Sequence, residues 1–158
     1  MPRARPIPCY ALLLAALLPL GAPAHAGCAI STTGVNFGAY NPQNGVPLNG
    51  VGTIDFRCSD DTEDGGPGGG NKKIAISAGN AGSFTAREMR SGADKLDYNL
   101  YTDASRTSVW GDGQGGSDSV KVHPQAESVS VTVYGRIPAG QNVRAGTYTD
   151  TLIVSIEF

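Results

Sequence analysis

The sequence predicts an all-β fold, two packed sheets with no helical layer, and three observations carry that expectation. Past residue 26 only four leucines occur (Leu48, Leu96, Leu100 and Leu152), and valine, isoleucine and threonine dominate instead. Such β-branched residues suit a pleated, half-buried surface. Apolar residues then alternate with polar ones over several short stretches, the period of a strand with one face buried. Finally, glycine punctuates the chain at short intervals, with 22 in 158 residues, as the turns of an all-β domain require.

The N-terminal stretch is set apart from this pattern. Arg3 and Arg5 precede an apolar run over residues 10–20, and Ala24-His25-Ala26 offers a small-x-small cleavage pattern. Together these read as a signal peptide over residues 1–26, cleaved before Gly27. A lipid anchor on Cys28 is disfavoured, because His25 stands where such sites carry leucine. Residues 27–158 are then one domain, long enough to bury a core without metals.

Element by element, residues 53–58 place Ile54, Phe56 and Cys58 on one face and Thr53, Asp55 and Arg57 on the other. Residues 60–70 (DDTEDGGPGGG) are acidic and glycine-rich and read as a surface connection. In 73–78, Ile74 and Ile76 point inward. In 96–102, Leu96, Tyr98 and Leu100 alternate with Asp97, Asn99 and Tyr101. Residues 112–118 read as a second flexible loop. In 128–134, Val129, Val131 and Val133 share a face. The strongest pattern is 147–158, where Tyr148, Leu152, Val154, Ile156 and Phe158 lie opposite Thr149, Thr151, Ser155 and Glu157. Short alternating strands with regular turns favour a sandwich.

Cysteine usage agrees with export. Cys9 leaves with the signal, and Cys28 and Cys58 remain as an even pair, which in an oxidising compartment reads as one disulfide. Closing a loop of about 30 residues stabilises a domain by ~3–4 kcal/mol in the chain-entropy model. A metal site on the same two cysteines would need further ligands, and His123 is the one histidine left after cleavage.

Several classes of function find no support. The formal charge of −2 becomes more negative once Arg3 and Arg5 are removed, and without a basic cluster nucleic-acid binding is not expected. No later apolar run is long enough to span a membrane. Gly111-Asp-Gly-Gln-Gly-Gly116 fits a phosphate-cradling fingerprint, but that motif works only between a strand and a helix, and no helical pattern follows. Asp60, Thr62, Asp64 and Gly65 imitate the start of a calcium loop, yet Thr62 and Asn71 stand where carboxylates belong. His123, beside Pro124, lies near no nucleophile motif, and the acidic residues fall in loops or on polar strand faces rather than as an evident pair. We therefore expect no catalytic residue, no metal and no cofactor. Trp110 and Tyr101 are aromatics that a sugar-binding surface would use if exposed, although such residues are more often simply packed.

Five segments taken together resemble one family. They are Cys28-Ala-Ile-Ser-Thr-Thr-Gly-Val-Asn-Phe-Gly-Ala-Tyr-Asn-Pro42, Ser77-Ala-Gly-Asn-Ala-Gly-Ser-Phe84, Tyr98-Asn-Leu-Tyr-Thr-Asp-Ala-Ser-Arg106 with Val109-Trp-Gly-Asp112, Tyr134-Gly-Arg-Ile-Pro-Ala-Gly140, and Gly146-Thr-Tyr-Thr-Asp-Thr-Leu-Ile-Val154. In this order they resemble the spore coat U domain family, secreted pilin-like subunits of the archaic Csu-type chaperone–usher class. The resemblance implies an immunoglobulin-like sandwich lacking one strand, because an open sheet edge invites a partner strand. It implies three partners: a periplasmic chaperone, an outer-membrane usher, and a neighbouring subunit that supplies the strand by donor-strand complementation. It implies that Leu152, Val154, Ile156 and Phe158 border the groove, and that the disulfide Cys28–Cys58 joins the first two strands. It implies export to the periplasm and then to the cell surface. One departure bears on position in a fibre. Polymerising subunits carry a donor segment before the first cysteine, and here cleavage leaves Gly27 alone, as suits a terminal subunit or a non-polymerising coat protein. The alternative is a self-contained adhesive or carbohydrate-binding sandwich.

Overall fold

A computed structural model describes residues 28–58, 71–122 and 128–157. The expected signal peptide, the whole acidic 60–70 loop, His123 and Phe158 lie outside the described residues. Within them, eight strands run in chain order: β1 (Cys28–Thr33), β2 (Leu48–Cys58), β3 (Lys72–Ile76), β4 (Arg87–Ser91), β5 (Asp94–Tyr101), β6 (Val120–Val122), β7 (Ser128–Ile137) and β8 (Val154–Glu157). A short 3-10 turn, Gly79–Ala81, is the one helical element among the described residues.

The strands form two sheets, a five-stranded one ordered β1-β2-β7-β5-β4 and a three-stranded one ordered β6-β3-β8. Every strand pair is antiparallel. This is the immunoglobulin-like β-sandwich that the alternation and resemblance predicted. Register explains the burial. β2 and β7 set Ile54 opposite Val131, Phe56 opposite Val129 and Leu48 opposite Ile137, so one pleat face carries the apolar set of both strands. Ile54, Phe56, Ile74, Ile76, Leu96, Tyr98, Leu100 and Val133 are buried as their alternation required. A two-residue turn joins β4 to β5 between the paired Ser91 and Asp94. Its Gly92 has φ 59°, the positive angle that primed hairpin turns need.

Two expectations change. The long final strand over 147–158 is not one strand. Thr149 exchanges both backbone hydrogen bonds with Arg90 of β4 (2.9 and 3.0 Å), whereas Val154–Glu157 pairs with β3. The chain therefore passes from the side of one sheet to the other, and a continuous ladder along either is impossible. Residues 112–118 are not a loose loop either: Gly111 and Asp118 donate backbone hydrogen bonds at 2.7 Å to Asp118 and Val109 respectively, and Ser117 is buried. Trp110 is wholly buried, with its indole N–H donating to the Ile74 carbonyl at 3.1 Å, and offers no surface to a sugar. Tyr101 is half-buried at the end of β5.

Candidate functional site

The two sheets are unequal, and the inequality leaves one side of the sandwich open. β8 pairs with β3 along one edge, and no described strand pairs with its other edge. Among the described residues β1 likewise pairs with β2 alone. Ile30 sits opposite the buried Phe56, on the face turned to the core, and is still 43% exposed. Here the five-stranded sheet extends past the cover that the three-stranded sheet provides.

Residues 33–37 cross this opening over a floor of glycines. Gly50 and Gly52 of β2 and Gly135 of β7 occupy positions where neighbouring residues point inward. A Cβ on Gly52 would sit 2.5 Å from the Thr33 carbonyl, and one on Gly135 would sit 2.6 Å from the Phe37 ring. Glycine is required because the crossing backbone and side chains fill the space a side chain would take. Phe37 then meets Tyr98 edge-to-face at 6.0 Å. Farther along, the Tyr40 hydroxyl donates to the Pro138 carbonyl (3.0 Å) and accepts from the Gln141 N–H (2.8 Å).

Between this crossing segment and residues 143–154 run two cavities. The first, about 300 Å³, is walled by Val35, Phe37, Ile54, Leu100, Leu152 and Val154, among others. The second, about 680 Å³, is walled by Phe37, Tyr40, Met89, Leu96, Val143 and Tyr148, among others. Val35, Phe37, Met89 and Tyr148 border both, so the two form one apolar trough. Of the residues expected at a groove, Leu152 and Val154 line the first cavity. Ile156 is half-buried against the core cluster without lining either cavity, and Phe158 is not among the described residues. Val35, Phe37, Met89 and Tyr148 were not read from the sequence as groove residues. The inward glycines were the available signal.

One carboxylate stands in the wall of the trough. Asp150, half-buried, lines the first cavity. Its Oδ2 accepts the Tyr98 hydroxyl at 2.7 Å, and its Oδ1 accepts the Asn80 N–H at 3.0 Å. A Cβ on Gly79, whose φ is 69°, would run into this carboxylate. Burial, with Asp150 beside it, pushes the Tyr98 phenol well above its ordinary range.

Beside Tyr98, its strand partner across β4 and β5, lies a buried arginine that no pattern in the sequence announced. Arg87, fully buried, donates to the carbonyls of Ser77 (2.8 Å), Trp110 (2.7 Å) and Phe84 (3.3 Å) and to Asn99 Oδ1 (2.8 Å). Burial lowers its pKa, and the ring of acceptors offsets the desolvation. On the outer side of the same strand, Glu88 meets Arg90 and Lys95 (2.9 Å). Nearby, Asp103 accepts hydrogen bonds from Ser105, Ser108 and Thr107, which hold its carboxyl below the usual carboxylate range. Among the described residues no three His, Cys, Asp or Glu side chains stand close enough to hold a metal. Nor is any described helix long and apolar enough to cross a membrane. Cys28 and Cys58 face each other as register partners of β1 and β2.

Comparison with known proteins follows this geometry. The family model for the Spore Coat Protein U domain matches residues 14–155. Protein U of Myxococcus xanthus is 35% identical over 134 residues, covering 78% of this chain and 71% of that protein. A chain of the CsuC–CsuE chaperone–tip adhesion subunit pre-assembly complex, from archaic chaperone–usher Csu pili of Acinetobacter baumannii, superposes with TM-score 0.55 at 22% identity. That match covers 85% of this chain and only 40% of the other. A chaperone–usher pilus structure matches with TM-score 0.53 at 16% identity, over 96% and 99% of the two chains. These two structures share the fold.

Proposed function

The chain belongs to the Spore Coat Protein U domain family, and we propose that it is a secreted structural subunit of a surface pilus or coat, completed by a strand from another chain. The observation that carries this reading is the unpaired edge of β8 beside a continuous apolar trough. An unpaired edge over exposed apolar surface is a template for aggregation unless something covers it. An inserted strand supplies both missing parts, main-chain hydrogen bonds to the edge and alternate side chains to the trough. A donor strand of about ten residues spans roughly 30 Å at about 3.3 Å per residue.

In this reading residues 1–26 are removed on export and Cys28 and Cys58 close a disulfide across β1 and β2. A periplasmic chaperone covers the trough first, an outer-membrane usher passes the subunit outward, and a neighbouring subunit then takes the chaperone's place. No catalysis is assigned to the chain.

The test is to express residues 27–158 in a periplasm with and without a chaperone of this class. Soluble yield and thermal unfolding are then measured with and without an alternating ten-residue peptide. We expect chaperone-dependent solubility and, at a hundredfold excess over Kd, a rise in Tm of about 10 °C. A cooperative monomer indifferent to both would instead mark a complete adhesive or carbohydrate-binding module.

A further inference from the structure

The trough is apolar along most of its length, and Asp150 is the one carboxylate among the residues that wall its two cavities. A carboxylate accepts about four hydrogen bonds, two at each oxygen. Asp150 receives one at each, from Tyr98 and from the Asn80 backbone. The hydroxyls of Thr32, Thr33, Thr53 and Thr149 wall the same cavity, and none of them bonds to it. Asp150 lines the first cavity and is half-buried, so acceptor capacity remains on a group that borders open space.

A strand laid over this wall excludes water from that space. An apolar side chain at the point of contact leaves a charged acceptor short of partners, and an unmet charged group is the costly case. A side chain bearing O–H or N–H restores the lost bond. The construction around Asp150 argues that its place is fixed. Gly79 is cleared of any side chain where the carboxylate lies, and two partners from separate parts of the chain hold its two oxygens. The Tyr98 ring that holds Oδ2 is itself buried and wedged against Phe37, so the carboxylate is presented from a rigid support.

Resting on the strand-acceptor reading above, we propose that Asp150 is a specificity residue of the trough. It selects strands that carry a hydrogen-bond-donating side chain (serine, threonine, asparagine or lysine) at the one inward position facing it. Strands that are apolar at every inward position are the disfavoured class. The trough thereby sets register as well as affinity. A donor strand slipped by two residues would place an apolar group on the carboxylate and its own polar group in a hydrophobic cavity.

The experiment uses the soluble protein and six synthetic ten-residue peptides. One alternates five valines with five serines, and the other five replace each valine singly by threonine, which keeps the shape and adds a hydroxyl. Affinity is measured by fluorescence anisotropy for the wild-type protein and for Asp150→Asn. One threonine peptide is expected to bind about fivefold to tenfold tighter than the other four, as a hydrogen bond to a charged group would give, and this preference should shrink in Asp150→Asn. If that variant does not fold, Tyr98→Phe serves instead. It leaves Oδ2 one more acceptor site to fill, and the same threonine position should be favoured more strongly. Equal weakening by all five threonines, with the all-valine peptide still bound, would overturn the specificity role and leave the strand-acceptor reading standing. Failure of every peptide to bind would remove that reading, and this one with it.

Discussion

Two regions of this sandwich solve the same problem in opposite ways. Around Trp110, polar groups are taken fully inside and every donor of Arg87 is matched by a carbonyl or the Asn99 amide oxygen. Along the side bordered by β8, the backbone edge has no strand partner among the described residues and the apolar side chains beside it are only half covered. The closed region is finished within one chain. The open side has residues of the right kind and lacks a layer. The contrast teaches that incompleteness here is local: a firmly held scaffold presents an unfinished edge, rather than the whole domain being loose.

The sharpest way to break that contrast is at the closed region. Arg87→Met keeps volume and removes the guanidinium, leaving the Ser77 and Trp110 carbonyls without that donor and Asn99 Oδ1 with the Leu100 N–H alone. Each such group costs about 1–3 kcal/mol, so urea unfolding should show a loss of about 4 kcal/mol or more. A donor peptide at the open side should not repair it, because the lost bonds lie elsewhere. A small loss would mean that the closed region is not what holds the scaffold.

A paired substitution sharpens the comparison within one cavity. Leu100 and Leu152 wall the same space, yet Leu100 is 3% exposed on the floor while Leu152 is half-buried on the rim. Leu100→Ala should cost about 3 kcal/mol, as a large-to-small change in a packed interior does. Leu152→Ala should cost only about 1 kcal/mol in the isolated protein. With a strand peptide bound, the rim becomes interior, and the cost of Leu152→Ala should rise toward that of Leu100→Ala. Equal costs in the isolated protein would mean that the rim is already packed and that no layer is missing.

The closed and open parts were unequally legible in the sequence. Alternation found Ile54, Phe56, Leu96, Tyr98, Leu100 and Val133 because each strand there has one face buried and one exposed, which is what a period of two reports. It missed β4 because Arg87-Glu-Met-Arg-Ser91 is mostly charged, and burial of Arg87 depends on carbonyls that only the folded chain brings together. It over-extended the last strand because alternation follows the side chains of an extended segment and does not show that residue 149 bonds to one sheet and residue 154 to the other. Leu152 and Val154 were read as groove residues through resemblance, while the opposing wall of Val35 and Phe37 was not. That wall is announced by Gly50, Gly52 and Gly135 at inward strand positions, where a missing side chain implies a close neighbour.

The smallest effect expected lies outside both regions, on the solvent side of β4. Glu88 is held by Lys95 and Arg90, and these partners lower its pKa from the ordinary 4.5. A carboxyl with a depressed folded value binds fewer protons folded than unfolded, so it stabilises the fold fully above about pH 4.5 and loses that contribution as pH falls through the folded value. Glu88→Gln should therefore lower Tm slightly at pH 7, and the gap to wild type should close on acidification toward about pH 2. Lys95 and Arg90 have side chains 56% and 46% exposed, so the gap should also shrink in high salt. Asp103, likewise depressed, is present in both proteins, and its acid sensitivity cancels in the difference. A gap that persisted unchanged at low pH would show that Glu88 stabilises β4 by packing rather than by its charge.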